Sequence, residues 1–291
     1  MQAEPSGGPS IGSSRSRVFR GARFKQEGAR GVLIATLSTV VVLILIGVLV
    51  TRSQYWPDFK EAFLNRQVFA DSFPGIVAKF RRNVLYFCIA EVFVLALALL
   101  LAVMRTLRGP VFFPIRAMAI VYTDVFRGIP TILVVYTLGF GIPALAIPGL
   151  PNSRTFWAIV ALVLSYSAYV AEVYRAGIES VHPSQVAAAR SLGLSHGQSL
   201  RHVVIPQAVR RVVPPLMNDF VALQKDTALV AFVVAVPEAF KQGQIDKAAT
   251  FNFTPLVAVA LVFLLITVPM TRFTDYLVEK ERRRRQSGSG V

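Results

Sequence analysis

Long uncharged apolar runs constrain this chain more than any other feature of its sequence. Residues 32–50 and 248–271 contain no charged side chain, and 54% of all residues are hydrophobic. A helix needs roughly 20 mainly apolar residues to cross a hydrocarbon layer about 30 Å thick, because each residue rises about 1.5 Å. The sequence therefore predicts an all-α polytopic membrane protein rather than a soluble domain.

Five segments have the length and composition of spanning helices, namely 32–50, 83–104, 117–140, 155–173 and 248–271. A sixth segment, 207–230, is less apolar because it carries Asp219, Lys225 and Asp226. Asn218 lies two helical turns before Lys225, and the two aspartates have the same spacing, so these groups share one stripe of a helix. Such a stripe must face protein or water. We therefore expect about six transmembrane helices.

The excess of positive charge indicates topology. The chain carries 31 Lys and Arg against 16 Asp and Glu, crowded at both ends and between the apolar runs. Cytoplasmic loops are enriched in this way, and nothing in the pattern indicates a nucleic-acid partner. Lys79, Arg81 and Arg82, before the second span, favour the opposite orientation. Because six spans place both ends on one side, the basic tail at 279–285 nevertheless predicts a multi-pass membrane protein with both termini in the cytoplasm.

The polar loop between the fourth and fifth spans has the pattern of two short helices. Pro183 suits the first turn of a helix, and the alanines at 187–189 have the highest helix propensity. Gly193 can take the left-handed conformation that closes a helix. Ser195 and Gln198 then match the capping box that begins a second helix. Small side chains let such a helix approach a partner closely, so these residues fit either a docking surface or a solvated loop.

The same loop resembles the signature of the inner-membrane permeases of ABC importers. That signature reads Glu-Ala-Ala, three residues, Gly, nine residues, Ile, any residue, Leu-Pro. The chain supplies six positions in register, which are Ala188, Ala189, Gly193, Val203, Ile205 and Pro206. The leading Glu is missing, because Ala187 occupies its position.

Four further motifs resemble the polar amino acid branch of that family and occur in its order. They are Phe-Arg-Gly-Ile-Pro-Thr at 126–131, Ala-Glu-Val-Tyr-Arg-Ala-Gly-Ile at 171–178, Pro-Gln-Ala-Val-Arg-Arg at 206–211 and Lys-Asp-Thr-Ala-Leu at 225–229. The resemblance implies a type I ABC importer permease fold with a cytoplasmic coupling helix between spans 4 and 5. It also implies that the loop docks on an ATPase through Pro183, Ala187, Ala188, Ala189, Arg190, Gly193, Leu194, Ser195 and Pro206.

The resemblance covers residues about 115–275 and implies the function and a location in the bacterial cytoplasmic membrane, and together with the apolar runs and the charged segments it predicts the domain organisation. We expect a basic disordered cytoplasmic N-terminus at 1–31, an additional first span at 32–50, an extracytoplasmic segment at 51–82, a permease domain at 83–275 with its coupling loop at 180–206, and a basic cytoplasmic tail at 276–291. The implied function is translocation of a polar amino acid such as glutamate, glutamine or a basic amino acid.

The implied partners are a homodimeric ABC ATPase, a second permease that is identical or homologous, an extracytoplasmic binding protein and membrane lipid. The chain contains no Gly-x-x-x-x-Gly-Lys-Ser/Thr loop, so we expect it to be no enzyme, to carry no cofactor and to leave ATP to the partner. The spacing of its three histidines fits no common metal pattern.

Charges inside the spans need partners, because a lone charge costs at least ~2.5 kcal/mol in the membrane. Spacing allows Asp124 to pair with Arg127 and Glu172 with Arg175 along helix faces. A translocation path is the other interpretation, with Asn218, Asp219, Lys225, Asp226, Asp124 and Arg127 as candidates. A secondary amino acid transporter remains the alternative function, although it predicts inverted halves that the sequence does not display.

Overall fold

The computed structural model describes residues 15–107, 109–233 and 237–288, and all regular secondary structure within them is helical. The chain divides into two units, Met1–Glu61 and Ala62–Val291. Residues 1–14, part of the predicted disordered N-terminus, lie outside the described residues. Residues 15–31 are helical, so the rest of that predicted segment is not irregular.

The first unit contains helix α1, Arg15–Thr51. Its part Gly31–Thr51 has a mean hydropathy of 2.9 over an 18-residue window, and no residue of that window is buried. A helix that is apolar on all sides and exposed is suited to lipid. The additional first span expected at 32–50 therefore coincides with a helix of the required length.

The second predicted span begins earlier than the sequence indicated. Helix α2, Trp56–Phe63, is followed by α3, Arg66–Thr106, which has 41 residues. Asn65 caps α3, since its side-chain oxygen accepts hydrogen bonds from the N–H groups of Gln67 and Val68, both at 3.0 Å. The basic residues at 79–82 end the apolar run but are good helix formers, so the helix continues through them. The boundary expected at residue 83 is wrong for the helix.

The third predicted span is two helices rather than one. Helix α4, Phe113–Gly128, follows a 3₁₀ turn at Pro110–Phe112, and α5 is Thr131–Tyr136. The two helical segments meet at an angle of 101°. Pro130 disfavours the helical conformation for the residue before it, and Ile129 is extended at φ −96° and ψ 129°. The prediction of one helix over 117–140 is therefore wrong. A π-helical turn, Thr137–Gly141, and the short α6, Ile142–Ala144, complete this connection.

Helix α7, Arg154–Glu179, lies at the centre of the second unit and packs against α3, α4 and α5. Its buried face consists mainly of small residues, which allow close helix approach. They include Ala158, Ala161, Ser165, Ser167, Ala168, Ala171 and Gly177. Three of them, Ala158, Ala161 and Ala171, belong with buried residues of α3 to the main apolar core of this unit.

Helix α10, Ile205–Asp226, crosses α7 and has 22 residues, so it is about 33 Å long. It buries apolar side chains such as Val212, Val221 and Leu223 and carries the polar stripe predicted from the sequence. A 3₁₀ turn, Thr227–Phe232, follows it. Four helices of the described chain are long and apolar enough to cross a membrane, or five if the bent α4–α5 pair is one span. Helix α10 is long but too polar to be counted among them. With the bent pair and α10 included, the number of spans reaches the six expected from the sequence.

The last predicted span, 248–271, contains a break. Helix α11, Ala239–Thr250, ends at Phe251, which takes the left-handed φ of 51°. Helix α12, Thr254–Gly288, then begins and carries the apolar window. Between the two helices, the backbone N–H of Thr254 donates a hydrogen bond to the side-chain oxygen of Asn252 at 2.8 Å.

Gly177 lies where α7 packs closely against α10. A Cβ atom added there meets Cγ2 of Val212 at 2.0 Å and the carbonyl oxygen of Ala208 at 3.4 Å. We expect Gly177→Ala to destabilise the purified protein by about 1–3 kcal/mol, because overpacking forces the helices apart. The thermal unfolding midpoint in detergent measures this. Gly75→Ala is the matched control, since nothing lies within 4 Å of its added Cβ, and equal midpoints for the two variants contradict the prediction.

Candidate functional site

The first half of the polar loop forms α8, Pro183–Ser191, as the sequence predicts. His182 is its N-cap, and its Nδ1 atom accepts from the Ser184 N–H at 3.2 Å. Gly193 has a φ of 86° and closes the helix. The Leu194 N–H donates to the Ala189 carbonyl at 3.2 Å, and the Gly193 N–H donates to Arg190 at 3.0 Å, which is a Schellman closure.

The second half of the loop forms the short helix α9, His196–Ser199. The Gln198 N–H donates to the Ser195 hydroxyl at 3.2 Å, and the Ser195 N–H donates to the Gln198 side chain at 2.8 Å. The predicted capping box is therefore confirmed. A π-helical turn, Leu200–Val204, leads directly into α10, so Pro206 lies in the first turn of a helix that is continuous with α9.

The loop has an inner and an outer face. Ala189 is buried, and Val186 packs against the cluster of Val181, Val204 and Ala208 at the ends of α7 and α10. The Arg211 guanidinium donates to the Ser180 carbonyl and ties α10 to the end of α7. The outer face exposes Pro183, Ala187, Ala188, Arg190, Leu192, Gly193 and Ser195. Ala189, which the resemblance places among the docking residues, is buried and does not belong to this outer face.

A cavity of about 410 Å³ lies beside this loop, between α4, α7 and α10. It brings together two of the predicted path residues, Arg127 and Asp219. Its other lining residues are Tyr169, Glu172, Val173, Ala176, Gly177, Ser180, Arg211 and Pro215. The cavity thus presents both positive and negative side chains. One of its lining residues, Ser180, is three residues before the start of α8.

Glu172 is the centre of the ion pairs in this region. It pairs with the Arg105 guanidinium at 2.8 Å and with Arg175, and Arg127 lies 3.9 Å away. The predicted pairing of Glu172 with Arg175 is confirmed. The pairing of Asp124 with Arg127 is wrong, because α7 supplies Glu172 to Arg127 across the helix interface. Arg175 also pairs with Glu179.

The other predicted path residues lie outside the cavity lining. Asp226 is half-buried and accepts a hydrogen bond from the Tyr166 hydroxyl at 2.8 Å, whereas Asp124, Asn218 and Lys225 are exposed. Sequence reasoning missed Tyr169 and Arg211 as cavity residues. Arg211 belongs to the motif at 206–211, but only the crossing of α7 and α10 places it at the cavity.

A second polar cluster lies in the core, away from the cavity. The Asn83 side chain donates to Glu238 at 2.7 Å and to Thr227 at 3.2 Å, and it accepts the Ala239 N–H at 3.1 Å. All four residues are fully buried. Burial raises the pKa of the Glu238 carboxyl, although its bonds with the N–H groups at the start of α11 oppose the shift. This cluster joins α3, α11 and the turn after α10.

The apolar helices, the capped loop between two of them and the charged cavity define a polytopic transport subunit. The chain belongs to the family described as the binding-protein-dependent transport system inner membrane component, whose sequence model matches residues 95–283. The resemblance predicted from the loop is therefore confirmed. This family comprises permease subunits of ABC transporters in the inner membrane, which act with separate ATPase and binding proteins, and the chain is an ABC importer permease of this kind.

Individual relatives agree with the family. The "Probable glutamine ABC transporter permease protein GlnM" of Bacillus subtilis (strain 168) is 31% identical over 75% of this chain and 98% of its own length. The "Glutamine transport system permease protein GlnP" of Escherichia coli (strain K12) is 34% identical over 53% of this chain and 69% of its own length.

Solved structures share the fold. The crystal structure of an amino acid ABC transporter with histidines aligns with a TM-score of 0.63 and 30% identity, over 72% of this chain and 94% of that one. An inward-facing structure of the MetNI methionine ABC transporter aligns with a TM-score of 0.54 at 17% identity, over 74% of this chain and 96% of that one, and supports the fold alone.

Proposed function

We propose that this chain forms the membrane path of an ATP-driven importer for a polar amino acid such as glutamine, glutamate or a basic amino acid. The names of relatives support the substrate class, since they include glutamine and arginine transport permeases. The observation that carries the proposal is the position of the charged cavity directly beside the capped loop. Helices α7 and α10 line the cavity and also flank the loop, and Val186 of α8 packs against the ends of both. We therefore expect a movement of α8 to change the shape of the cavity.

The path itself is proposed from the charges of the cavity. An amino acid carries a carboxylate and an ammonium group, so its path needs side chains of both signs. Arg127 and Arg211 supply positive charge, and Asp219 supplies negative charge. Asp226, Lys225 and Asn218 continue the polar stripe of α10 beyond the cavity, and we keep them as path residues. Asp124 is the weakest candidate, because it is exposed on α4 and lies outside the lining.

The proposed assembly contains two permease subunits, identical or homologous, a homodimeric ATPase on the loop and an extracytoplasmic binding protein. In this assembly the loop and both termini lie in the cytoplasm. ATP is bound by the ATPase subunit, and the permease carries no catalytic residue or cofactor of its own. Among the described residues, no group of three or more His, Cys, Asp or Glu side chains is placed to hold a metal ion.

Transport in reconstituted vesicles tests the proposal. Vesicles contain the full-length chain, the ATPase and any second permease encoded beside it, and the binding protein is added outside. We expect uptake of labelled glutamine, glutamate or arginine that requires ATP inside and is abolished when the ATPase is omitted. Uptake driven by a proton or sodium gradient without ATP contradicts the proposal and supports the secondary transporter instead.

A further inference from the structure

An apolar groove lies between the last turns of α3 and helix α4. It has a volume of about 560 Å³, and its walls include Leu101 and Met104 of α3 and Met118, Val121 and Val125 of α4. The three α4 residues are exposed and recur at helical spacing, so they lie on one face of that helix. Helix α4 belongs to the bent pair that can cross a membrane, so the groove opens towards lipid or towards another membrane helix.

The walls of the groove leave no hydroxyl free for a polar ligand. Tyr122 is the lining residue that carries a hydroxyl, and that group is bonded within the bundle. It donates to the Leu164 carbonyl at 2.9 Å and lies 2.8 Å from the Ser167 hydroxyl, both on α7. A polar solute such as an amino acid would lose its water there without gaining hydrogen bonds. The chemistry of the walls therefore fits a hydrocarbon chain.

The groove lies at the end of the bundle that carries the coupling loop. Met104 is followed by Arg105, whose guanidinium pairs at 2.8 Å with Glu172, two turns before the end of α7. The loop begins where α7 ends. In the proposed assembly this is the cytoplasmic side, so the groove opens into the inner leaflet of the membrane. Anionic lipids give that leaflet a negative surface potential.

Arg116 lies at the same end, where α3 and α4 meet. Its guanidinium donates to the Leu107 carbonyl at 3.3 Å, which joins the first turn of α4 to the residue after α3, and it lies 5.8 Å from the centre of the Phe113 ring. No carboxylate of the described residues forms an ion pair with it. A guanidinium has further donors beyond this bond, and such groups bind phosphate through paired hydrogen bonds.

We propose that the groove binds an acyl chain of an anionic phospholipid, and that Arg116 binds the phosphate of its headgroup. The inference rests on the proposed function for the side of the membrane on which this lipid lies. A second copy of the permease is the other occupant that a membrane offers. An apolar helix of that copy matches the walls of the groove alone, whereas a phospholipid matches both the walls and the guanidinium at their end.

The lipid supports the part of α4 that reaches the charged cavity. Val125 and Phe126 line the groove, whereas the next residue, Arg127, lines the cavity. Helix α4 ends at Gly128, directly before the bend at Ile129. An acyl chain in the groove therefore packs against the last turn of α4 and holds Arg127 in position. We expect uptake to depend on anionic lipid for this reason.

Native mass spectrometry of the full-length permease in detergent tests the inference. The probes are dioleoylphosphatidylglycerol, which is anionic, and dioleoylphosphatidylcholine, which has the same acyl chains. We expect Val121→Trp to weaken binding of the first molecule of either lipid at least about tenfold, because the indole fills the groove and each displaced methylene costs about fourfold. Val92→Trp is the matched control, since Val92 is 66% exposed, Val121 is 60% exposed, and Val92 lies outside the groove. Equal affinities for these two variants overturn the inference.

Arg116→Gln tests the headgroup contact. We expect this variant to lose about fivefold of the preference for phosphatidylglycerol over phosphatidylcholine, because one basic residue near an anionic lipid surface contributes about this factor. Arg116→Lys keeps the charge and is expected to keep most of the preference. If Arg116→Gln weakens both lipids equally, Arg116 only joins α3 to α4, and the inference is overturned.

Uptake and subunit assembly separate the remaining outcomes. In vesicles of phosphatidylcholine, added phosphatidylglycerol is expected to raise ATP-driven uptake by the parent but not by Val121→Trp. If the parent binds phosphatidylglycerol as expected but shows no ATP-driven uptake, the proposed function fails and the lipid site stands. If Val121→Trp separates two permease subunits and leaves lipid binding unchanged, the groove is a subunit interface and the inference is overturned.

Discussion

Replacement of Glu172 by Gln is expected to destabilise the protein by about 2 kcal/mol and to abolish most uptake. The carboxylate balances Arg105 and Arg175 and lies near Arg127, and its side chain is 25% exposed. Loss of one partner of a buried ion pair costs about 3–5 kcal/mol and exposed pairs contribute up to about 1 kcal/mol, so this site lies between these limits. The thermal unfolding midpoint and the uptake per folded molecule measure the two effects.

Glu279→Gln provides the control for Glu172→Gln. Glu279 pairs with Arg283 at 2.9 Å on the same helix, but the two side chains are 49% and 76% exposed. We expect this variant to match the parent within about 0.5 kcal/mol and to transport normally. Equal losses of stability in the two variants contradict the prediction that Glu172 stabilises the protein by balancing Arg105 and Arg175.

Replacement of Asn83 by Leu is expected to cost about 3 kcal/mol, the largest loss of stability that we predict. The leucine removes one donor from Glu238, one from Thr227 and the acceptor of the Ala239 N–H, all of them buried. Each buried polar group left without a partner costs about 1–3 kcal/mol. The thermal unfolding midpoint in detergent measures the loss, and limited proteolysis between α10 and α11 reports where the structure loosens.

A double-mutant cycle with Glu238→Gln distinguishes this network from simple crowding by leucine. If the bond between Asn83 and Glu238 carries the effect, the two substitutions together cost less than the sum of the single ones, by about 0.5–3 kcal/mol. Additive losses mean that leucine disturbs the packing of α3 and that the hydrogen bond contributes little.

Local signals in the sequence predicted the loop well. The capping box of Ser195 and Gln198, the left-handed Gly193 and Pro183 at the start of α8 all depend on residues a few positions apart. Their geometry is fixed within one helical turn, so it can be inferred without the rest of the fold. The apolar runs likewise predicted the helical membrane fold, because lipid requires them.

The sequence was less informative where distant segments meet. Arg127 pairs with Glu172 rather than Asp124, because the partner of an exposed charge depends on which helix packs beside it. The same holds for Tyr169 and Arg211, which reach the cavity only because α7 and α10 cross. The start of the second predicted span, at residue 83, is also not the start of the helix. Hydropathy marks only the part of a helix that lies in lipid, whereas the helix itself extends as far as its residues favour helical backbone.

The π-helical turn at Leu200–Val204 has a geometric consequence. Because it joins α9 to α10 without interruption, residues 196–226 form one continuous helical segment, in which Pro214 and Pro215 each remove a backbone hydrogen bond. Successive residues of an α-helix are rotated by about 100°, so the wider turn sets the angular phase of Asp219 and Asp226 relative to α9.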